Sequence, residues 1–224
     1  MQSSGLPSWR LAISDTSQSL HFALYVRDSC QLEVLDVPVN PPRLGGNVID
    51  RSRTFEGTYD AGADWQSWWH EMLVIQGTTA LGTFLTSSSL DATNLIDESP
   101  YEWPKLDGIT SRPALHNAIQ LSHDDAIRWC NDYGNRLSMR GNRTVNLSHL
   151  PIAAIADRVI NRFRVTPSMV RAAVWILGVQ GEWSDFPLPG VLLCSEAVTA
   201  DAAKMGSLIE RAFVEGTKLN KGEL

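Results

Sequence analysis

Apolar and polar residues alternate near the start of the chain, which is the pattern of a half-buried β-strand. A second short run at 31–37 follows a turn-like Asp-Ser-Cys, so the two runs predict a β-hairpin. Residues 9–14 are a candidate third strand, and 54–59 are a candidate edge strand. The first part of the chain is therefore expected to contain an antiparallel sheet. The alternating apolar positions are Leu20, Phe22, Leu24 and Val26.

The next pattern has the period of an α-helix and predicts a helix over 65–76. Asp64 provides an N-cap and Gly77 a stop signal. Large apolar side chains fall at i, i+3, i+4 and i+7, which places them on one face. Such a face is typical of a helix packed on a sheet, and the alternative is a stacking platform for a sugar or a base. The residues of this face are Trp65, Trp68, Trp69 and Met72.

Beyond about residue 108 the apolar positions follow the helical period. Capping residues, a Pro and terminal Gly residues divide this part into elements. The predicted helices are a short one after Ser111, then 123–136, 148–163, 167–179, and a last one from Thr199 to Gly216, with a short strand at 191–194.

One stretch in this part, FRVTPSMVRAAV at 163–174, has a distinctive helix start. Thr166 is a good N-cap, and Pro167 is suited to the first helical position. The stretch is similar to the turn and recognition helix of many helix-turn-helix repressors. It also resembles a segment of the helical lid of AAA-type ATPases, although no Walker motif accompanies it here. The first resemblance implies nucleic-acid binding.

These patterns together predict an α+β fold. We expect an N-terminal antiparallel sheet with a packed helix, followed by a mainly helical part with a helix-turn-helix-like pair. The change of period places a soft domain boundary between an α+β domain at 1–108 and an Arg-rich, mainly helical domain at 109–224. A single domain is the alternative.

Charge is distributed unevenly along the sequence. The net charge is −6, yet residues 112–171 hold nine Arg, four Asp and neither Lys nor Glu. Such asymmetry indicates an anionic partner for the basic part. The alternative is that these Arg residues pair with the acidic remainder of the same molecule.

The helix-turn-helix resemblance implies a role for several of these cations. In such a motif the start of the second helix contacts base edges, while the first helix crosses the phosphate backbone. A loop before the pair would add phosphate contacts. The predicted nucleic-acid-binding residues are Arg140, Arg143, Arg158, Arg162, Ser168 and Arg171.

The common catalytic signatures are absent: the sequence has no GxSxG, Walker loop, GxGxxG or CxxC. No cofactor is predicted. His116, His123 and Asp124 form a metal-like cluster, and its His-Asp doublet is similar to that of the HD-type metal phosphohydrolases. The alternative is that Asp124 supports the start of a helix. We therefore predict no metal site and leave this cluster open.

The cysteines and the amino terminus bear on location. The three Cys residues are far apart, so neither a disulfide framework nor a zinc ribbon is indicated. The amino terminus lacks the features of a signal peptide, and no apolar run is long enough to span a bilayer. We expect a cytoplasmic protein without a membrane partner. Its predicted function is non-enzymatic binding of nucleic acid, and the alternative is a protein-interaction or structural subunit of a larger assembly.

Overall fold

The computed structural model describes residues 9–35, 40–82, 109–139 and 147–221. Within these ranges the chain has an α+β fold with a four-stranded mixed sheet and six α-helices. The strands are β1 (Arg10–Ser14), β2 (Arg171–Leu177), β3 (Ser184–Leu188) and β4 (Val191–Ser195). The helices are α1 (Gln18–Ser29), α2 (Thr58–Leu81), α3 (Pro113–Met139), α4 (Ile152–Phe163), α5 (Glu196–Thr199) and α6 (Ala202–Lys221).

The sheet has the strand order β1-β2-β4-β3. β2 lies parallel to both β1 and β4, and β3 pairs antiparallel with β4. Arg10 pairs with Arg171, so one strand comes from before the predicted boundary at residue 108 and its neighbour from after it. The sheet therefore draws on both predicted parts of the chain.

Helices cover both faces of this sheet. Ala173, Trp175 and Leu177 of β2 pack into one core with α1, α2 and α3. The alternate residues of the same strand pack into a second core with α4 and α6. A central strand that is buried on both faces is apolar at nearly every position. The architecture is therefore three layers, with the sheet in the middle.

The predicted N-terminal antiparallel sheet is wrong, because residues 20–26 belong to helix α1. This helix is buried from Leu20 to Ser29, on all its sides. Its polar residues are satisfied inside the protein, so no solvent-facing stripe marks the helical period. The alternation of apolar and polar residues therefore did not indicate a strand here. The predicted 54–59 strand is also wrong, since α2 begins at Thr58.

The second helix of the predicted helix-turn-helix pair is wrong as well. Pro167–Met169 forms a single 3-10 turn, and Arg171–Leu177 is β2. The capping signal at Thr166 and Pro167 begins only that turn. The stretch that follows is apolar all round because β2 is buried on both faces. The first helix of the pair is confirmed as α4.

Several other elements are confirmed, with changed ends. The aromatic face of 65–76 lies in α2 and is fully buried, as expected for the core alternative. The strand at 191–194 is β4. The two helices predicted around Ser122 are one helix, α3, because the Ser122 hydroxyl donates to the carbonyl of Ala118, one turn earlier. α6 continues past Gly216, where a Cβ would lie 2.1 Å from the Arg171 carbonyl oxygen.

Of the helices in the described ranges, none combines the length and apolarity needed to cross a membrane.

Two glycines inside long helices test the packing. A Cβ at Gly62 would lie 2.1 Å from the Glu33 carbonyl oxygen, whereas a Cβ at Gly134 would meet nothing within 4 Å. We expect Gly62→Ala to lower the free energy of unfolding by about 1–3 kcal/mol, because the backbone at Glu33 must move. Gly134→Ala should raise it by roughly 0.5–1 kcal/mol through helix propensity. Urea denaturation followed by Trp fluorescence measures both, and changes of equal sign would contradict the packing.

Candidate functional site

The carboxyl ends of β1, β2 and β4 meet at one edge of the sheet, because the three strands run parallel. After β1 the chain enters α1 on one face of the sheet, and after β4 it enters α5 and α6 on the other. The end of β2 therefore lies between two connections that diverge. In open α/β sheets, ligands bind outside the strand ends at such a switch point.

A cavity of about 320 Å³ lies at this switch point. We call it the edge crevice. It is built from four parts of the chain: the 45–46 loop, α3, the loop after β2, and the start of α5. Among the residues that line it are Gly46, Tyr133, Arg136, Gly178, Glu196 and Ala197.

One wall of the crevice is fixed by a buried charge pair in α1. Arg27 Nε donates to Asp28 Oδ1 at 2.7 Å, and both side chains are almost fully buried. Arg27 also donates to the carbonyl oxygens of Pro41 and Pro42, at 2.6 and 2.8 Å. Asp28 Oδ2 accepts the Leu44 amide at 2.6 Å. The pair thus orients the backbone of 41–44, which has no regular secondary structure to hold it.

The same loop is joined to the end of β2. The Gly45 amide donates to the Gly178 carbonyl at 2.7 Å. Gln180 binds back through its amide to Arg43 O at 2.8 Å, and through Nε2 to Leu44 O at 3.0 Å. The two loops on this side of the crevice are therefore fixed against each other before any ligand arrives.

His21 is a buried, neutral side chain that holds the backbone of Gly178 in the crevice wall. Its Nδ1 lies 2.8 Å from the Ser17 carbonyl, so it donates there, and Nε2 accepts the Gly178 amide at 3.0 Å. Burial lowers the pKa of His21 to about 4, despite the opposing effect of the bond to Ser17. Both ring nitrogens are engaged in one tautomer, which makes His21 a positioning residue for Gly178.

Tyr133 reaches the crevice from α3 with its ring clamped on two sides. It stacks on Trp129, with ring centroids 5.2 Å apart, and lies 4.6 Å from the His21 ring centroid. The residue is buried, and its hydroxyl lies near the Glu196 carboxylate, although the described residues give it no hydrogen bond of standard geometry. Burial raises the pKa of Tyr133 well above its usual value, and the hydrogen-bonding contact with Glu196, together with the negative charges of Glu196 and Asp15, raises it further. The hydroxyl therefore stays protonated and can donate a hydrogen bond.

The cysteines are not activated as nucleophiles. Burial raises the pKa of Cys30 to about 11 and that of both Cys130 and Cys194 to about 12. A thiol must ionise to attack an electrophile or bind a metal. These three groups are therefore inert thiols near neutral pH.

The predicted nucleic-acid-binding residues do not lie on a helix-turn-helix pair, because Pro167–Met169 is a 3-10 turn and Arg171 begins β2. Arg140 and Arg143 lie outside the described residues. Arg158 and Arg162 are exposed on α4, where the first pairs with Glu210 at 2.7 Å and the second lies over the Phe163 ring. Ser168 is exposed in the 3-10 turn.

Arg171 is committed to an internal contact. Its Nη1 donates to the carbonyls of Leu81 and Gly82, at 3.0 and 3.2 Å, and its Nε donates to Ser168 O at 2.9 Å. A cation at the carboxyl end of a helix is favoured by the helix dipole. Arg171 therefore caps α2 from the start of β2 instead of beginning a recognition helix.

His116 and His123 lie seven residues apart on the continuous helix α3. That spacing separates them by about 10 Å along the helix axis, which is too far for shared coordination of one ion. His123 Nδ1 lies 2.7 Å from the neighbouring Asp124 carboxylate. Across the ranges that the structure describes, no three His, Cys, Asp or Glu side chains are grouped as a metal site.

Sequence reasoning missed Tyr133, Arg136 and Glu196. The available signals were weak: glycines at 45–46, 178 and 181, and an acidic residue directly after a short buried strand. These features become a site only when the sheet topology is known, because the topology brings four distant segments to one edge.

Comparisons with known proteins give no further guide: no family model matches the chain, and no curated protein or solved structure gives a significant match.

The buried His21 makes stability depend on pH. Its pKa is lower in the folded protein than its ordinary value of 6.5, so the unfolded chain binds the proton more readily. His21 is therefore expected to leave stability unaffected above pH 6.5 and to reduce it as the pH falls toward about 4. The loss should reach about 3 kcal/mol. Urea unfolding across this range measures it, and His21→Gln should flatten the slope. An unchanged slope in that variant would contradict the assignment.

Two tyrosines form a matched pair for testing the Tyr133 hydroxyl. Tyr133→Phe should leave the free energy of unfolding unchanged or raise it by about 1 kcal/mol, because among the described residues its buried hydroxyl makes no hydrogen bond of standard geometry. Tyr25→Phe should lower it by about 1 kcal/mol, because the Tyr25 hydroxyl accepts the Ile49 amide at 3.1 Å. Chemical denaturation of both variants decides the point. A loss in Tyr133→Phe as large as in Tyr25→Phe would mean that its hydroxyl is bonded within the protein.

Proposed function

We propose that this protein is a binding protein whose ligand occupies the edge crevice. The observation that carries the proposal is the position of the crevice: a cavity of about 320 Å³ lies outside the carboxyl ends of parallel strands, between two connections that diverge. Ligands bind at such switch points in open α/β sheets.

The prebuilt walls support the same proposal. Sites for small molecules are concave and largely formed before the ligand binds. The Arg27–Asp28 pair and the Gly45–Gly178 hydrogen bond give the crevice this property. A cavity of about 320 Å³ lies at the lower end of the range for such sites, so it suits a small metabolite.

The protonation states favour binding over catalysis. A general acid or base works best when its pKa lies near the working pH. The pKa of Tyr133 is raised far from that range, and His21 has a pKa of about 4 with both ring nitrogens engaged. Both groups are therefore poorly suited to moving the protons of a ligand.

Nucleic-acid binding and protein interaction remain as second proposals. The first now rests on the exposed Arg158 and Arg162, which lie one turn apart on α4. Without a helix to enter the groove, such binding would be to phosphates and would not depend on sequence. The interaction-subunit proposal is supported by two exposed apolar side chains, Leu35 and Tyr59.

A blocking variant tests the main proposal. Ala197 lines the crevice and is exposed, and Ala200, three residues later, is exposed but does not line it. We expect Ala197→Trp to fill the crevice, whereas Ala200→Trp should leave it open. The assay is thermal unfolding of both variants and the wild type with millimolar α-amino acids, inorganic phosphate, nucleoside monophosphates, sugars and polyamines, and with a short duplex DNA.

At least one small molecule should raise the unfolding temperature of the wild type and of Ala200→Trp, but not of Ala197→Trp. A ligand at 100 times its Kd stabilises a protein by about 2.7 kcal/mol, which such a scan detects. If no small molecule stabilises the wild type, the crevice proposal is wrong. Binding of the duplex at low salt that persists in Ala197→Trp would instead support the nucleic-acid proposal.

A further inference from the structure

Two side chains of opposite charge line the edge crevice beside the same tyrosine ring. The Arg136 guanidinium carbon lies 5.9 Å from the centroid of the Tyr133 ring. The Glu196 carboxylate lies near the hydroxyl of that ring, which is a hydrogen-bond donor toward it. The crevice therefore has a cationic and an anionic part.

Arg136 is placed to take an anionic group. Its side chain is exposed and makes no ion pair with any residue that the structure describes. Its Nη1 would lie 3.4 Å from a Cβ at Gly46, so the guanidinium is close to the loop that forms one wall. A guanidinium presents a planar fork of donors that matches the two oxygens of a carboxylate.

Glu196 is placed to take a cationic group. It is the first residue of α5, it is half-buried, and it lines the crevice together with Ala197. It already interacts within the protein. A carboxylate has two oxygens and about four acceptor positions, so it can accept a ligand ammonium in addition to that interaction.

We propose that the ligand of the edge crevice is a small zwitterion of the α-amino-acid type, with its carboxylate on Arg136 and its ammonium on Glu196. This inference rests on the proposed function. Leu137 and Val179 add apolar lining to the crevice, which favours an amino acid with an apolar side chain. The cavity of about 320 Å³ holds one such molecule with its side chain.

The same charges discriminate against ligands with a single charge. An anion without an ammonium would bring a second negative group near Glu196, and a cation without a carboxylate would bring a second positive group near Arg136. Unpaired like charges of this kind are a general source of specificity. A ligand that carries both charges satisfies both side chains at once.

The test uses isothermal titration calorimetry on the full chain with each standard amino acid. The tightest-binding amino acid is then compared with two derivatives: its N-acetyl form, which lacks the ammonium, and its amide, which lacks the carboxylate. We expect each derivative to bind at least about 10-fold more weakly, because each loses a charge-assisted hydrogen bond.

Two variants assign the charges, and a third serves as the control. Arg136→Gln should weaken binding of the free amino acid at least about 10-fold but change binding of its amide little. Glu196→Gln should weaken binding of the free amino acid by a similar factor but change binding of its N-acetyl form little. Arg128→Gln, about two turns earlier on α3 and away from the crevice, should leave all affinities unchanged. Circular dichroism confirms that each variant is folded.

The outcomes separate this inference from the proposed function. Another class of compound in the panel could bind and be blocked by Ala197→Trp while no amino acid binds. The crevice would then be a ligand site, but the zwitterion proposal would be wrong. If an amino acid binds with equal strength to wild type, Arg136→Gln and Glu196→Gln, the charge assignment is wrong. If nothing in the panel stabilises the wild type, both proposals fail together.

Discussion

The edge crevice depends on a buried charge pair whose side chains do not line it. Arg27 and Asp28 lie inside the protein at the end of α1, where an isolated charge would be strongly unfavourable. Each ion is compensated by the other and by the backbone of 41–44. Removing one partner would leave the other charge buried and release the loop. The pair therefore contributes geometric specificity to the wall of the site, whatever its net contribution to stability.

The site is fixed by contacts that run in sequence from the core to the surface. Asp28 holds Leu44, Gly45 binds Gly178, and the Gly178 amide binds His21. His21 in turn packs against the ring of Tyr133. A ligand at Tyr133 would therefore meet side chains and loops whose positions are already set by buried hydrogen bonds. Such preorganisation limits the entropy that is lost on binding.

The sequence predicted those elements whose surroundings are asymmetric. α4 and α6 have one buried and one exposed face, so their period is visible, and the short apolar run of β4 is bounded by turn residues. The predictions for α1 and β2 were wrong for the same reason. Both are buried on nearly all sides, so burial no longer alternates with the period of the backbone. A buried helix with internal polar residues resembled a strand, and a buried strand after a capping signal resembled a helix.

The site was harder to predict than the fold because it is assembled from distant segments. Tyr133 lies in the middle of a helix, and only its contacts distinguish it from an ordinary core tyrosine. The Arg-rich composition instead led to the prediction of a nucleic-acid-binding surface. Part of that charge serves internal contacts, as with Arg171 at the end of α2 and Arg158 with Glu210. A local excess of one charge is therefore a weak guide to a partner when the fold can supply the counter-charges.

The pairing of β1 with β2 also has a consequence for synthesis on the ribosome. Among the described strands, β1 lies at the edge of the sheet and pairs with β2, where Arg10 meets Arg171. These residues are separated by roughly 160 positions, which take about 8–30 seconds to translate. During that time β1 lacks this partner, and α1, which is buried on nearly all sides in the folded protein, lacks the rest of the sheet that covers it. The segment that forms α1 must therefore avoid aggregation in the nascent chain until the last third of the protein emerges.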